Sequence, residues 1–291
     1  MKLGRRRKRS QLIWYVFLLP VLLGVVLFML YPVAESIRLS FYKSNGSIET
    51  FVGLKNYITI VNTPVFAKAI YNTFYLAFFQ LLIIIPFSFI LASMINELRF
   101  GKNLFKVVYY LPNITSATAA GMVFLYVLHP NEGLLNTALS AVGLPTSVWL
   151  AAPTSARWGA IILGIWRGLG FNIIICLANL QAIPNEYYEA AHIDGANRLQ
   201  SWWHITVPGM KSTFAFFVIT GWIGGLQRFT DVFMLGGTEG SPDRSLHTLV
   251  SFIFERGFGG FEFGIAAAAS FILFFIILII TVFNTKMTKM D

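Results

Sequence analysis

Six stretches of this chain carry almost no charge, and each is long enough to cross a bilayer as a helix. Residues 12–34 are uncharged, between Arg9 and Glu35. Residues 69–96 lie between Lys68 and Glu97, residues 107–128 follow Lys106, and residues 263–285 lie between Glu262 and Lys286. Residues 158–181 are interrupted only by Arg167, and residues 212–236 only by Arg228 and Asp231. A spanning helix needs about 20 apolar residues. Charged residues make up 12% of the chain, against about 25% in soluble domains. This excludes an ordinary cytosolic enzyme, a disordered chain and a collagen-like one. The pattern predicts an all-α integral membrane protein with six transmembrane helices. Residues 133–156 are also uncharged, but Gly143-Leu144-Pro145, Pro153, Thr154 and Ser155 interrupt them; they read as a loop holding one short helix.

The net charge of +9 is informative once divided between the two faces. With an even number of spans, the termini share a side with loops 97–106 and 182–211. That side holds thirteen cations and five acids, and the other holds seven of each. The bias predicts cytoplasmic termini in a cell (inner or plasma) membrane. The basic tail 1–11 then lies on anionic headgroups, not on nucleic acid, and residues 286–291 form the other cytoplasmic tail. The apolar run at 12–34 exceeds a signal-peptide core, so it reads as a retained first span despite the arginines at Arg5–Arg7. The single Cys176 forms no intrachain disulfide. His129, His192, His204 and His247 are scattered, so neither a metal site nor a catalytic dyad is expected.

Loop 182–211 is the longest on the expected cytoplasmic side. Pro184 closes the fourth span. Asn185 is placed to cap a short helix carrying Glu186 in its first turn. Gly195 is a natural left-handed stop, and Asn197 with Gln200 has capping-box spacing for a second helix. The result is helix–turn–helix. Ala190 and Ala191 make a small surface for close approach, while Glu189 and Asp194 offer acceptors to a partner's arginine.

This stretch resembles the EAA motif of permeases from binding-protein-dependent ABC importers. Glu189-Ala190-Ala191, Gly195, Ile205 and Val207-Pro208 occupy the motif positions, with Val207 in place of the usual leucine. Ile193-Asp194-Gly195-Ala196 looks like the variant of carbohydrate importers, the maltose-permease-like class. Weaker matches follow in order along the chain: Phe51–Tyr57, Asn72-Thr73, Gly170-Phe171-Asn172, and Asp231 before Gly236-Gly237. The usual Gly-Gly-Gly-Pro is here Gly-Gly-Thr-Glu-Gly-Ser-Pro, so no contact is carried over from that turn.

The resemblance implies a type I importer permease fold, with a cytoplasmic coupling helix between spans four and five. It implies that Glu189, Ala190, Ala191, Asp194, Gly195 and Pro208 form the surface that engages an ATPase dimer. It also implies a second permease subunit, a different chain, and an extracytoplasmic binding protein docking on external loops 35–68, 129–156 and 237–261. The cargo would be a mono- or oligosaccharide moved by alternating access. No G-x-x-x-x-G-K-[ST] is present, and Gly101-Lys102 is followed by Asn103. The chain therefore binds no cofactor of its own, and ATP-Mg belongs on the ATPase.

Polar groups inside spans usually face the bundle or a wet cavity. Thr220, Gly224, Gln227 and Asp231 recur at helical spacing and predict a polar stripe on span five, with Gly221 and Gly225 as a close-packing pair beside it. Span four carries Trp166, Arg167, Gly168 and Asn172. A sugar offers hydroxyls and apolar ring faces, so Asn172, Gln227, Asp231 and Trp166 or Trp222 are the candidate path residues. Arg167, Arg228 and Asp231 have a purely structural alternative, pairing with one another or with the second permease. Pro86 and Pro112 are expected to kink spans two and three. A permease for a non-sugar solute is the alternative reading, and a self-contained secondary transporter a weaker one. An intramembrane enzyme would need a dyad at membrane depth that the chain lacks.

Overall fold

The computed structural model describes Tyr15 and residues 17–289, with side chains to Lys286. The basic tail, the start of the first span and the last residues of the second tail fall outside the described residues. Helix α1 spans Phe17–Ser40, with a wider π-helical turn at Val26–Leu30. A short hairpin follows, β1 (Tyr42–Ser44) paired antiparallel with β2 (Glu49–Phe51). Then come α2 (Lys55–Val61), α3 (Pro64–Glu97), α4 (Lys102–Ile114), α5 (Ala117–Val127), α6 (Leu134–Ala141) and α7 (Pro153–Leu180). Helix α8 (Asn185–Ile193) and α9 (Arg198–Ser201) form the helix pair; α9 runs on through Trp202–Thr206 and Val207–Gly209. The chain ends with α10 (Lys211–Leu226), α11 (Thr230–Gly236), α12 (Leu249–Phe254) and α13 (Phe263–Lys289).

Four of these helices, Phe17–Ser40, Pro64–Glu97, Pro153–Leu180 and Phe263–Lys286, are long and apolar enough to cross a membrane. The other two expected spans are each divided, the third just past Pro112, where a kink is expected, and the fifth where none is. Residues 107–128 break at Thr115 and Ser116, whose backbones are extended. Pro112 lacks the N–H that would hold the last turn of α4, and the Thr115 hydroxyl bonds back to the Leu111 carbonyl (3.1 Å). Residues 212–236 break at Gln227–Phe229. There the carbonyl of Arg228 accepts from the Thr248 hydroxyl at 2.9 Å, so the break leaves it satisfied. By contrast α3 runs unbroken through Pro86.

Two further boundaries differ from the sequence reading. Pro153, Thr154 and Ser155 do not break a loop; they are the first turn of α7. Proline suits that position, because a helix's first N–H groups have no internal partner. Pro184, not Asn185, sits at the cap of α8, and Asn185 is the first helical residue.

The α3–α7 pair is the spine of the fold. Ile84, Phe89, Ala92, Leu169, Ile173 and Leu177 are buried between them and α10. Helices α4 and α7 approach so closely that a Cβ on Gly170 would strike the Tyr109 carbonyl. As expected of a close-packing pair, Gly221 meets Leu81 and Gly225 meets Ala77, seating α10 on α3. Another cluster, with Ile60, Phe66, Leu226, Leu249, Phe252 and Ala268, joins α2, α12 and α13 to the start of α3. Asn72 fastens this end: its Nδ2 donates to the carbonyls of Arg244 (2.7 Å) and His247 (3.0 Å), and its Oδ1 accepts from Arg157 Nε (3.1 Å).

Candidate functional site

Two regions gather the candidate residues. The first is the helix pair. Gly195 adopts φ +80°, a conformation that costs a β-carbon-bearing residue about 1–2 kcal/mol. Gly195 N–H donates to His192 O (3.1 Å) and Ala196 N–H to Ala191 O (2.9 Å), closing α8 in a Schellman motif. Asn197 and Gln200 then form the expected reciprocal capping box, at 2.8 and 2.9 Å.

The pair is braced against the bundle. Trp202 stacks on Phe89 of α3 at 5.0 Å and donates from Nε1 to Ser93 Oγ (3.2 Å). Tyr188 on α8 bonds Thr206 (2.9 Å), tying the two short helices together. Outward from this brace, Glu189, Ala190, Asp194, Gly195 and Pro208 are exposed, and Ala191 is half-buried. The Glu189 and Asp194 carboxylates have no partner among the described residues. Ile193 is 85% exposed, and Tyr187, Leu199 and Trp203 are exposed beside it. A groove of about 630 Å³ runs along this surface, lined by Tyr187, Ala190, Ala191, Asp194, His204 and Ile205.

The second region is a polar cavity among α3, α4, α7 and α10. Two adjoining chambers of about 350 and 360 Å³ share Gln80, Asn113, Gly168 and Gly225 in their walls. Arg167, Arg228 and Asp231 line one chamber; Asn172 and Thr220 line the other. Arg228 and Asp231 form a buried ion pair at 2.6 Å. Arg228 also donates to Gln80 Oε1 (2.9 Å) and to the Ala160 carbonyl, and Asp231 Oδ1 accepts from Val232 N–H (2.9 Å). This is the structural alternative raised for these two residues, since every strong group on the pair is engaged within the chain.

The cavity draws together only part of the sequence-derived set. Asn172 and Asp231 are there, with Thr220 and Gly224. Gln227 is exposed and outside both chambers, because the helix ends at Leu226 and the assumed continuous face stops with it. Trp166 stands on another face of α7 against Phe124, at 5.3 Å. Trp222 packs on Phe74 in an apolar groove between α3 and α10. Neither tryptophan lines the cavity. Gln80 and Asn113 were missed; each is an amide well inside an apolar stretch, a signal the sequence did carry.

Residues 10–289 match the family described as binding-protein-dependent transport system inner membrane component. The arabinooligosaccharides transport system permease protein AraP of Bacillus subtilis is 33% identical over 94% of this chain and 88% of its own length. The lactose transport system permease protein LacF of Rhizobium radiobacter is also 33% identical, over 92% of this chain and 91% of its own. A crystal structure of a bacterial alginate ABC transporter, in complex with an alginate pentasaccharide-bound periplasmic protein, contains a similar chain. It is 28% identical with a TM-score of 0.85, covering 99% of this chain and 97% of that one. An unbroken match along nearly the whole chain, and a shared fold, place this protein in the membrane-embedded family of binding-protein-dependent transport permeases.

Proposed function

We propose that this chain is one of two transmembrane subunits of an ATP-driven importer that carries a saccharide into the cytoplasm. The observation that carries the reading is the α8–α9 pair. It is braced to α3 by Trp202, and it presents exposed Ala190 between the Glu189 and Asp194 carboxylates, which have no partner among the described residues. An exposed carboxylate beside two alanines suits a cleft that supplies an arginine and needs close approach. In this reading α8 is the coupling helix and the groove side meets an ATPase dimer. The six expected spans include the two divided helices, and the termini face the cytoplasm.

Energy comes from ATP-Mg on the ATPase, and this chain acts as a permease, not an enzyme. The binding protein delivers its cargo at the opposite face, near the β1–β2 hairpin and the 237–261 segment. The path runs along the amide-lined cavity, with Asn172, Asp231, Gln80 and Asn113 in its wall and the second permease completing it. Relatives named for arabinooligosaccharides and lactose, and a solved relative named for alginate, support a saccharide as cargo.

The test is charge reversal at the helix pair in the intact complex. Glu189→Arg is expected to abolish co-purification of the ATPase and to lower uptake at least about tenfold. Full uptake with Glu189→Arg would remove the coupling role.

A further inference from the structure

The cavity holds two arginines and one aspartate, and the three are not equivalent. Arg228 is fully engaged, by Asp231, Gln80 and the Ala160 carbonyl. Both Asp231 oxygens are likewise taken, one by Arg228 and one by Val232 N–H. Asp231 balances only one of the two guanidinium charges, and Arg167, although within its electrostatic reach, makes no ion pair with it among the described residues. Arg167 itself forms no hydrogen bond or ion pair among the described residues, and its Nε is buried without an acceptor. Two cations face one anion, which leaves one positive charge on the cavity wall, held by a rigid helix next to Gly168.

A guanidinium at membrane depth without an ion-pair partner of its own among the described residues is unusual, since such groups pair or meet a ligand. Its planar fork matches a carboxylate or phosphate in a two-point contact, which a neutral hydroxyl does not reproduce. We propose that Arg167 is the specificity-determining residue of the cavity, and that the cargo is an acidic saccharide whose carboxylate or phosphate it receives. The amides of Asn113 and Asn172 then serve the hydroxyls. This inference rests on the saccharide-import reading above and narrows it.

The test uses the whole importer in proteoliposomes, with both permeases, the ATPase and the binding protein. Import of uronate-containing oligosaccharides and of sugar phosphates is compared with that of neutral oligosaccharides of equal length. The wild type is expected to favour an acidic series; whether the uronates or the sugar phosphates are taken tells carboxylate from phosphate. Arg167→Gln is expected to lower acidic import about 30-fold or more, and Arg167→Lys to hold it within about tenfold of wild type. The purified Arg167→Gln complex should keep its second permease in equal ratio. Import of neutral saccharides only, or undiminished acidic import by Arg167→Gln, overturns the inference and leaves the importer reading standing. Loss of the second permease from the variant also overturns it, by showing that the counter-charge is a subunit contact. Failure to import any saccharide overturns both.

Discussion

Arg228 Nη2, in the break between α10 and α11, lies 2.6 Å from Asp231 Oδ2 in the first turn of α11. Both side chains are under one-tenth exposed. Removing one partner from such a pair leaves a buried charge uncompensated, which costs about 3–5 kcal/mol. Asp231→Asn is therefore expected to lower the unfolding midpoint in detergent sharply. A double replacement with leucine at both positions should recover most of the loss. Thermal unfolding followed by tryptophan fluorescence checks both.

At Gly195 the backbone conformation, not space, limits substitution, since a Cβ at this position would meet nothing within 4 Å. Gly195→Val should cost about 1–2 kcal/mol locally and misdirect α9 relative to α8. Gly195→Asn should be tolerated better, because asparagine visits that conformation. Uptake and ATPase co-purification are the readouts, with valine expected well below asparagine.

Gly170 presents the opposite case, where space decides. A single methyl there meets the Tyr109 carbonyl and the Tyr110 Cα. Backbone cannot rotate aside as a side chain can, so Gly170→Ala should cost about 1–3 kcal/mol as α4 is pushed off α7. Reduced yield and a lower unfolding midpoint are expected.

Acid should loosen the segment between α11 and α12. His247 is fully buried, and burial holds its pKa below the usual 6.5 despite the nearby Glu255 carboxylate. Its Nε2 lies 2.8 Å from Glu255 Oε2, outside good hydrogen-bonding geometry. Burial alone would raise the Glu255 pKa, but its bond to Arg244 and the facing His247 outweigh that and hold it below 4.5. Asp243 and Lys68 form a further pair close by, at 2.9 Å. A histidine kept neutral contributes its full stability above pH 6.5 and loses it as pH falls towards the depressed value. The lowered Glu255 adds a loss in the same direction at lower pH. Hydrogen exchange of Leu246–Ser251, corrected for intrinsic rate, should show less protection at about pH 5.5 than at about pH 7.5. His247→Gln should flatten the upper part of that dependence.

The helix pair was legible in the sequence because local chemistry defines it. Gly195 stops one helix and Asn197 with Gln200 starts the next, whatever surrounds them. The helix breaks were not legible in that way. Arg228 looked like an interruption in an apolar run, but its role depends on Gln80, Ala160 and Thr248, which lie far away in the chain. Pro153 was misread for a related reason: proline ends some elements and opens others, and only the packed α7 decides between them. Trp166 and Trp222 were chosen for chemistry, while their faces are set by how α7 and α10 sit on α3. Asn72 and Thr73, noted only as a resemblance, hold the 244–249 segment in place through Arg244, His247 and Leu249.

The stacking of Trp202 on Phe89 has a mechanical consequence. Phe89 sits near one end of α3, whose 34 residues make a rod about 51 Å long. At its other end the rod carries Asn72 and the 244–249 segment. A tilt of about 10° about Phe89 carries Asn72, which lies about 26 Å along the helix, sideways by about 4 Å. One aromatic contact thus gives a small push beneath the bundle leverage at its opposite pole.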